Sequence, residues 1–225
     1  MTMRSKSLPL LPLLLSLLLA SGCLFNTPPE PPPPQPPPSY KPYYDADPVT
    51  AMNNLVYNFV TAWERMHLAE YRDSILYQGT EAATDGEIYA AFKFYYDRSI
   101  DPYLPELDLY DREIQRATNM FGGQPGNSVP GIRSISLDLM PNGQWANPTD
   151  VTVDGDSYPP GTKWRALETD MLITLKSNIG STDINQWLVE DRLIFHLIPT
   201  RVENTGAPGT YHTRYKLWKW RDVIQ

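Results

Sequence analysis

Apolar positions recur at helical spacing in the first part of the chain and alternate in the second. Met52, Leu55, Val56, Phe59 and Trp63 follow the i, i+3, i+4, i+7, i+11 pattern. Asp47-Pro48 stands before them as an acidic N-cap and a first-turn proline, so a helix is expected from 48 to about Met66. A second short helix is expected with Leu68, Tyr71 and Ile75 on one face. Tyr89–Tyr96 (YAAFKFYY) is aromatic and alternates through Phe92, Phe94 and Tyr96, which predicts a strand. Asp108, with Asp111 three residues on, reads as the cap of a third helix. Its inward face would be Tyr110, Ile114, Ala117 and Phe121, and Gly122-Gly123 would end it.

From there the period falls to two. Ile135, Leu137 and Leu139 alternate, and a Gly- and Pro-containing loop is expected from about Pro141 to Gly161. A long strand follows, Trp164 to Lys176, with Leu167, Thr169, Met171, Ile173 and Leu175 on one face. Leu193, Phe195 and Leu197 share a face in the next. The last, Tyr211 to Arg221, sets His212, Arg214, Lys216, Trp218 and Trp220 against Tyr211, Thr213, Tyr215 and Leu217. Helices first and long strands last imply an α+β fold, with three helices packed on a strongly bent antiparallel sheet.

The start of the chain reads differently. Arg4 and Lys6 precede an uncharged run, Leu8 to Ala20. Thirteen helical residues would span about 20 Å, too short for a bilayer core of roughly 30 Å. The pattern is that of a secretory signal over residues 1–22. Leu19-Ala20-Ser21-Gly22-Cys23 resembles a bacterial lipobox, which implies cleavage after Gly22 and acylation of Cys23. Ala20-x-Gly22 equally fits an ordinary signal peptidase, which would leave a free thiol and a secreted soluble protein. In lipoproteins of this kind, leucine rather than aspartate after the cysteine, as at Leu24, implies the outer membrane, facing the periplasm. Removing residues 1–22 takes Arg4 and Lys6 with it, so the formal charge moves from −7 to −9. An anionic leaflet would repel such a body, and the anchor would have to hold it.

Residues 23–46 form the lipidated cysteine and a linker. Positions 28–38 read PPEPPPPQPPP, which favours extended polyproline II and a span of roughly 34 Å. A stiff spacer and a ligand for a proline-binding module are the two readings. Tyr40, Tyr43 and Tyr44 follow, either packed on the domain or part of the tail.

Residues 47–225 form the folded domain. Its opening helix pair (LVYNFVTAWERMHLAEYRDSIL), third helix (YDREIQRATNMF) and closing strand (YKLWKWRDV) resemble the NTF2-like superfamily, the cone-shaped fold of ketosteroid isomerase and SnoaL-like proteins. They look most like bacterial lipoproteins carrying such a domain. The resemblance implies a pocket between helices and sheet, for a small apolar ligand, and a sheet face used for homodimers or an envelope partner. The fold does not fix the activity.

Composition narrows the chemistry. Hydrophobic residues at 41% and aromatics at 12% exclude a disordered chain, and Cys23 as sole cysteine excludes a disulfide scaffold. The acidic balance argues against nucleic acid. The candidate acids are Glu168, Asp170, Glu190 and Asp191, and the candidate tyrosines Tyr57, Tyr89, Tyr95 and Tyr215. None matches the isomerase motif residue by residue. His67, at a helix junction, is expected to be exposed, and His196 to point away from the Leu193 face. His212 shares a face with Lys216. No HExxH, CxxC or GxSxG occurs, so neither metal nor cofactor is expected. Asp150, Asp154 and Asp156 lack EF-hand spacing and read as turn residues. Trp218 and Trp220 at period two are expected to pack the sheet against a helix. A non-catalytic binding domain, a dimeric scaffold and an isomerase- or dehydratase-type enzyme therefore stand as the readings. A buried Asp or Glu beside a Tyr would favour the last.

Overall fold

The computed structural model describes residues 39–99, 102–126, 130–150, 152–153, 155–176 and 185–223. All fall in the unit Pro38–Gln225. The signal, Gly22, Cys23 and the proline run lie outside the described residues.

Helix α1, Pro48–Glu64, begins where its chemistry predicts. The Asp47 carboxylate accepts from the backbone N–H of Val49 and Thr50 at 3.2 and 3.1 Å, satisfying two otherwise orphaned donors. It buries Met52, Leu55, Phe59, Ala62 and Trp63. The expected second helix contains a π-helix, Glu70–Ile75, closed by Leu76 N–H donating to Tyr71 C=O at 3.1 Å. The wider turn still brings Tyr71 and Ile75 inward, and spacing alone does not distinguish it from an α-turn.

Strands β1 (Lys93–Tyr95) and β2 (Leu107–Leu109) precede helix α2, Tyr110–Phe121. Strands β3 (Ile132–Ala146), β4 (Thr152–Val153), β5 (Asp156–Ser157), β6 (Lys163–Leu175), β7 (Gln186–Glu203) and β8 (Tyr211–Asp222) follow. The fold is α+β. The main sheet has the order β2-β1-β8-β7-β6-β3, and β4 pairs only with β5. It is mixed, not antiparallel throughout, because β1 runs parallel to β8. The sequence does not carry that pairing, which joins segments far apart in the chain.

Three further expectations change. Leu109, not Asp108, precedes α2 and offers no side-chain cap. Asp108 is buried in β2 and pairs with Arg112 at 3.1 Å and with Arg116. The expected 141–161 loop is partly sheet: β3 runs through Pro141 to Ala146, which an edge strand tolerates. The alternation in β8 breaks at Trp218, because His196 pairs with Lys219 but Leu197 with Leu217. This β-bulge keeps Tyr215, Leu217 and Trp220 in the core under the helices and leaves Trp218 in a second cluster with Tyr77, Ala83 and Ile198. Only Trp220 of the pair packs toward a helix.

The main core lies between the helices and one sheet face. Ile135, Leu137 and Leu139 meet Leu167, Leu193, Phe195 and Leu197 there, with Phe59 and Trp63 above them. Gly122-Gly123 ends α2, with Gly123 at φ 59°, a conformation that favours glycine. No helix among the described residues is long and apolar enough to cross a membrane.

The three tyrosines before α1 pack on the domain. Asn58, fully buried, donates to Lys41 C=O at 2.8 Å and accepts from Lys41 N–H at 2.7 Å. Tyr40 bonds His67 at 2.7 Å, Tyr43 donates to Glu70 at 2.5 Å under the Arg214 guanidinium, and Tyr44 lies against His212.

Candidate functional site

A cavity of about 210 Å³ lies between α1, α2 and the sheet. Its apolar wall includes Phe59, Trp63, Phe94, Leu137 and Trp220. Its polar members are Glu113 and Arg116 from α2, Tyr96 after β1, Thr169 from β6, Asp191 from β7 and Asp222 from β8. Alternation places Thr169, Asp191 and Asp222 on the cavity side, in line with Leu167, Leu193 and Trp220.

The carboxyl groups differ in what holds them. Glu113 accepts from Tyr71 Oη at 2.7 Å and meets Arg116 at 3.4 Å. Burial pushes its carboxyl up, and the Tyr71 hydroxyl opposes this. Tyr71 does not line the cavity, so this buried acid–tyrosine pair reaches it only through Glu113. Arg116 is held on its other side by Asp108, whose carboxylate also accepts from Tyr96 at 2.5 Å.

Asp191 and Asp222 have no salt bridge among the described residues. Burial raises Asp191; the Arg192 backbone N–H, 2.6 Å away, opposes, and Asp97 and Glu168 add repulsion. Burial, then the charge of Asp191, pushes Asp222 up to about 7. The Trp220 indole N–H, which makes no full hydrogen bond, still lies near enough to pull it partly back. The Thr169 hydroxyl is buried without a partner. The cavity can therefore hold a small apolar body and present unneutralised oxygens at one end.

Of the sequence candidates, only Asp191 reaches this cavity. Asp170 and Glu190 are exposed, and Glu168 faces the other side, accepting from Asn142 at 2.6 Å. Tyr57 is exposed under Lys41. Tyr89 donates to Asp85 at 2.6 Å. Tyr95 is buried beside Lys219, and Tyr215 is buried in the core. His67 is exposed, as expected. His196 points away from the Leu193 face but is buried under Tyr158, and its pKa is pushed down to about 3 by burial, then by Arg221 and Lys219. His212 bonds Asn204 at 2.7 Å.

Asp150 is exposed, and Asp154 lies outside the described residues. Asp156 is not a turn residue: it opens β5, and its carboxylate holds Lys93 at 2.6 Å and Lys219 at 2.8 Å. No group of three or more metal-ligating side chains occurs among the described residues.

Sequence reasoning missed Asp222, Glu113 and Arg116. Asp222 sits two residues beyond Trp220, so the β8 alternation carried one step further would have found it. Glu113 and Arg116 fall between the apolar positions of α2 and read as a solvated face.

No protein-family model matches the chain, and no curated protein is similar to it. Among solved structures, one similar chain is an NTF2-like family protein from Streptomyces avermitilis, provisionally named a dehydratase. It is 16% identical, with 79% of this chain and 95% of that one covered, at a TM-score of 0.42. Another is an NTF2-like superfamily protein from Salmonella enterica, 10% identical, with 78% and 89% covered, at 0.40. At these values neither likeness carries a family or an activity to this chain.

Proposed function

We propose that residues 47–225 are an NTF2-like domain that binds a small, largely apolar molecule, displayed at a bacterial outer membrane by acylated Cys23 on the 28–38 spacer. The supporting observation is the cavity under Phe59, Trp63 and Trp220. An apolar cavity of about 150 Å³ accommodates benzene, so one of about 210 Å³ suits roughly ten non-hydrogen atoms. The anchor rests on the lipobox resemblance and the proline run.

A native mass spectrum of the full chain, gently extracted from cells, tests the binding reading. The expected spectrum shows an adduct of about 100–200 Da, the mass of roughly ten heavy atoms, that leaves on activation. A bare dimer would replace this reading with a scaffold, and a bare monomer with partner capture. Cys23→Ser tests the anchor: the protein is expected to leave the membrane pellet for the soluble fraction, because the acyl chains supply the affinity. Retention in the pellet would overturn it.

A second reading, an isomerase- or dehydratase-type enzyme in the same cavity, is favoured by Asp222, whose titration near neutrality suits general acid–base work. A catalytic cavity would return a changed molecule, and a binding cavity the one it took.

A further inference from the structure

We propose that the cavity binds a primary amine, with Thr169, Asp191 and Asp222 forming a three-point acceptor for its ammonium group and the aromatic wall covering its apolar body. This rests on the cavity reading above and names its ligand class.

The three side chains come from three adjacent strands. Thr169 and Asp191 are direct cross-strand partners. Asp222 pairs with Leu193, the next cavity-side residue after Asp191. Direct cross-strand neighbours stand about 5 Å apart and diagonal ones about 7–8 Å, a spacing that one small polar group can bridge. All three line the cavity.

None of the three makes a full hydrogen bond to another side chain among the described residues, although Asp191 accepts from the Arg192 backbone N–H at 2.6 Å. Thr169 is 4% exposed and its hydroxyl makes no hydrogen bond among the described residues, an arrangement that costs stability until a ligand fills it. Asp191 and Asp222 are part-buried carboxyls, Asp191 raises Asp222 by its charge, and neither has a salt bridge among the described residues, Arg116 acting on Asp222 only through space. Arg116 is held by Asp108 and Glu113, and Arg192 approaches Glu168 at 3.8 Å. A partly desolvated charge gains from an opposite charge beside it.

An ammonium group has three donors and no acceptor. Two carboxylates and one hydroxyl match it. Of the two indole N–H groups at the wall, Trp63 leans toward Tyr71, and Trp220 leans toward Asp222, where an ammonium would take its place. Ring faces beside a desolvated cation add cation–π attraction.

The charged groups around the site set the pH dependence. They are Asp222 and Asp191 on the sheet with Arg221 beside Asp222, Asp97 and Arg98 beyond β1, Glu106 before β2, Glu168 behind β6, and Glu113 and Arg116 on α2. Below the titration of Asp222 an amine competes with its proton. Amine affinity should therefore rise with pH, by about tenfold per unit below neutrality, and level off above it.

Calorimetry on the full chain with 2-phenylethylamine and its neutral counterpart 2-phenylethanol tests this, at about pH 5.5 and about pH 8.5, on either side of that titration. At the higher pH the amine is expected to bind at least about tenfold tighter than the alcohol, the scale of a charge-assisted hydrogen bond. Asp222→Asn removes a charge that burial already disfavours, so the fold should persist while this preference collapses. Thr169→Val should weaken the amine by about 3–10-fold. Equal affinity for amine and alcohol would overturn the amine site and leave the cavity reading standing. Binding of neither would overturn both.

Discussion

Asp156→Ala is expected to destabilise the domain by about 3–5 kcal/mol, the usual consequence of leaving a buried charge without its partner. Lys219 has a fully buried side chain, and its ammonium lies 2.8 Å from the Asp156 carboxylate. The same carboxylate holds Lys93 at 2.6 Å. Tyr95 Oη at 3.3 Å and the rings of Tyr95 and Trp218 complete the surroundings of Lys219, but among these only Asp156 neutralises it. Asp156 also opens β5, and Tyr158, which follows this strand, covers His196 and Trp218. Loss of the ion pair would loosen that cover as well.

The pH behaviour has a definite sign. Burial alone would push the Asp156 carboxyl up, but hydrogen bonds and charge from Lys219 and Lys93 outweigh it and hold it below the usual range. Its contribution is therefore complete above the unfolded carboxylate value of about 3.9, and it is lost as pH falls through the lower folded value. Urea unfolding at neutral pH measures the main effect. Adding Lys219→Met to Asp156→Ala should recover much of the loss, because the buried cation goes with the carboxylate that held it. A single-variant loss below about 1 kcal/mol would show that water reaches Lys219.

The features legible in the sequence were those set by nearby residues. Asp47-Pro48 and the spacing from Met52 to Trp63 located α1 because capping and amphipathic burial act within one element. The inward faces of β3, β6 and the middle of β7 followed from simple alternation. What escaped depended on partners distant in the chain. β2 is three residues long, too short to show a period. Asp108 has the chemistry of a cap and was drawn instead into a buried pairing with Arg112 and Arg116. The Trp218 bulge interrupts an alternation that continues unbroken in the letters.

The site divides in the same way. Asp170, Asp191 and Glu190 were equal as strand acids, yet Asp191 alone is an even number of positions from Leu193 and Phe195, so parity could have selected it. Nothing local indicated that Asp222 and Thr169 would stand beside it. That proximity comes from the β6–β7–β8 register.

Phe59→Ala is expected to cost about 3–5 kcal/mol, the range for deleting a buried aromatic ring, and to lower the melting temperature by about 6–20 °C in a domain of this size. Phe59 is 1% exposed, and its ring meets Trp63 at 5.6 Å, Tyr71 at 5.8 Å, Phe195 at 5.1 Å and Trp220 at 5.5 Å between centroids. It joins α1 to the π-helix and to strands β7 and β8. Three of the four pairs are edge-to-face, the arrangement that adds roughly 0.5–1.5 kcal/mol beyond area burial. Because the four rings share one cluster, their separate losses will not add. Phe59 also lines the cavity, which gives its removal a second signature. The lost ring leaves a void of benzene size beside the apolar wall of the cavity, and apolar voids of that size take up apolar guests. Benzene or toluene should therefore raise the melting temperature of Phe59→Ala more than that of the unaltered protein, through binding to the folded state alone. A large loss of stability without this rescue would mean that the helices collapse into the space and the cavity closes. A loss below about 1 kcal/mol would mean that the α1 seam relaxes fully around the smaller side chain, and both the core position of Phe59 and its place in the cavity wall would fall together.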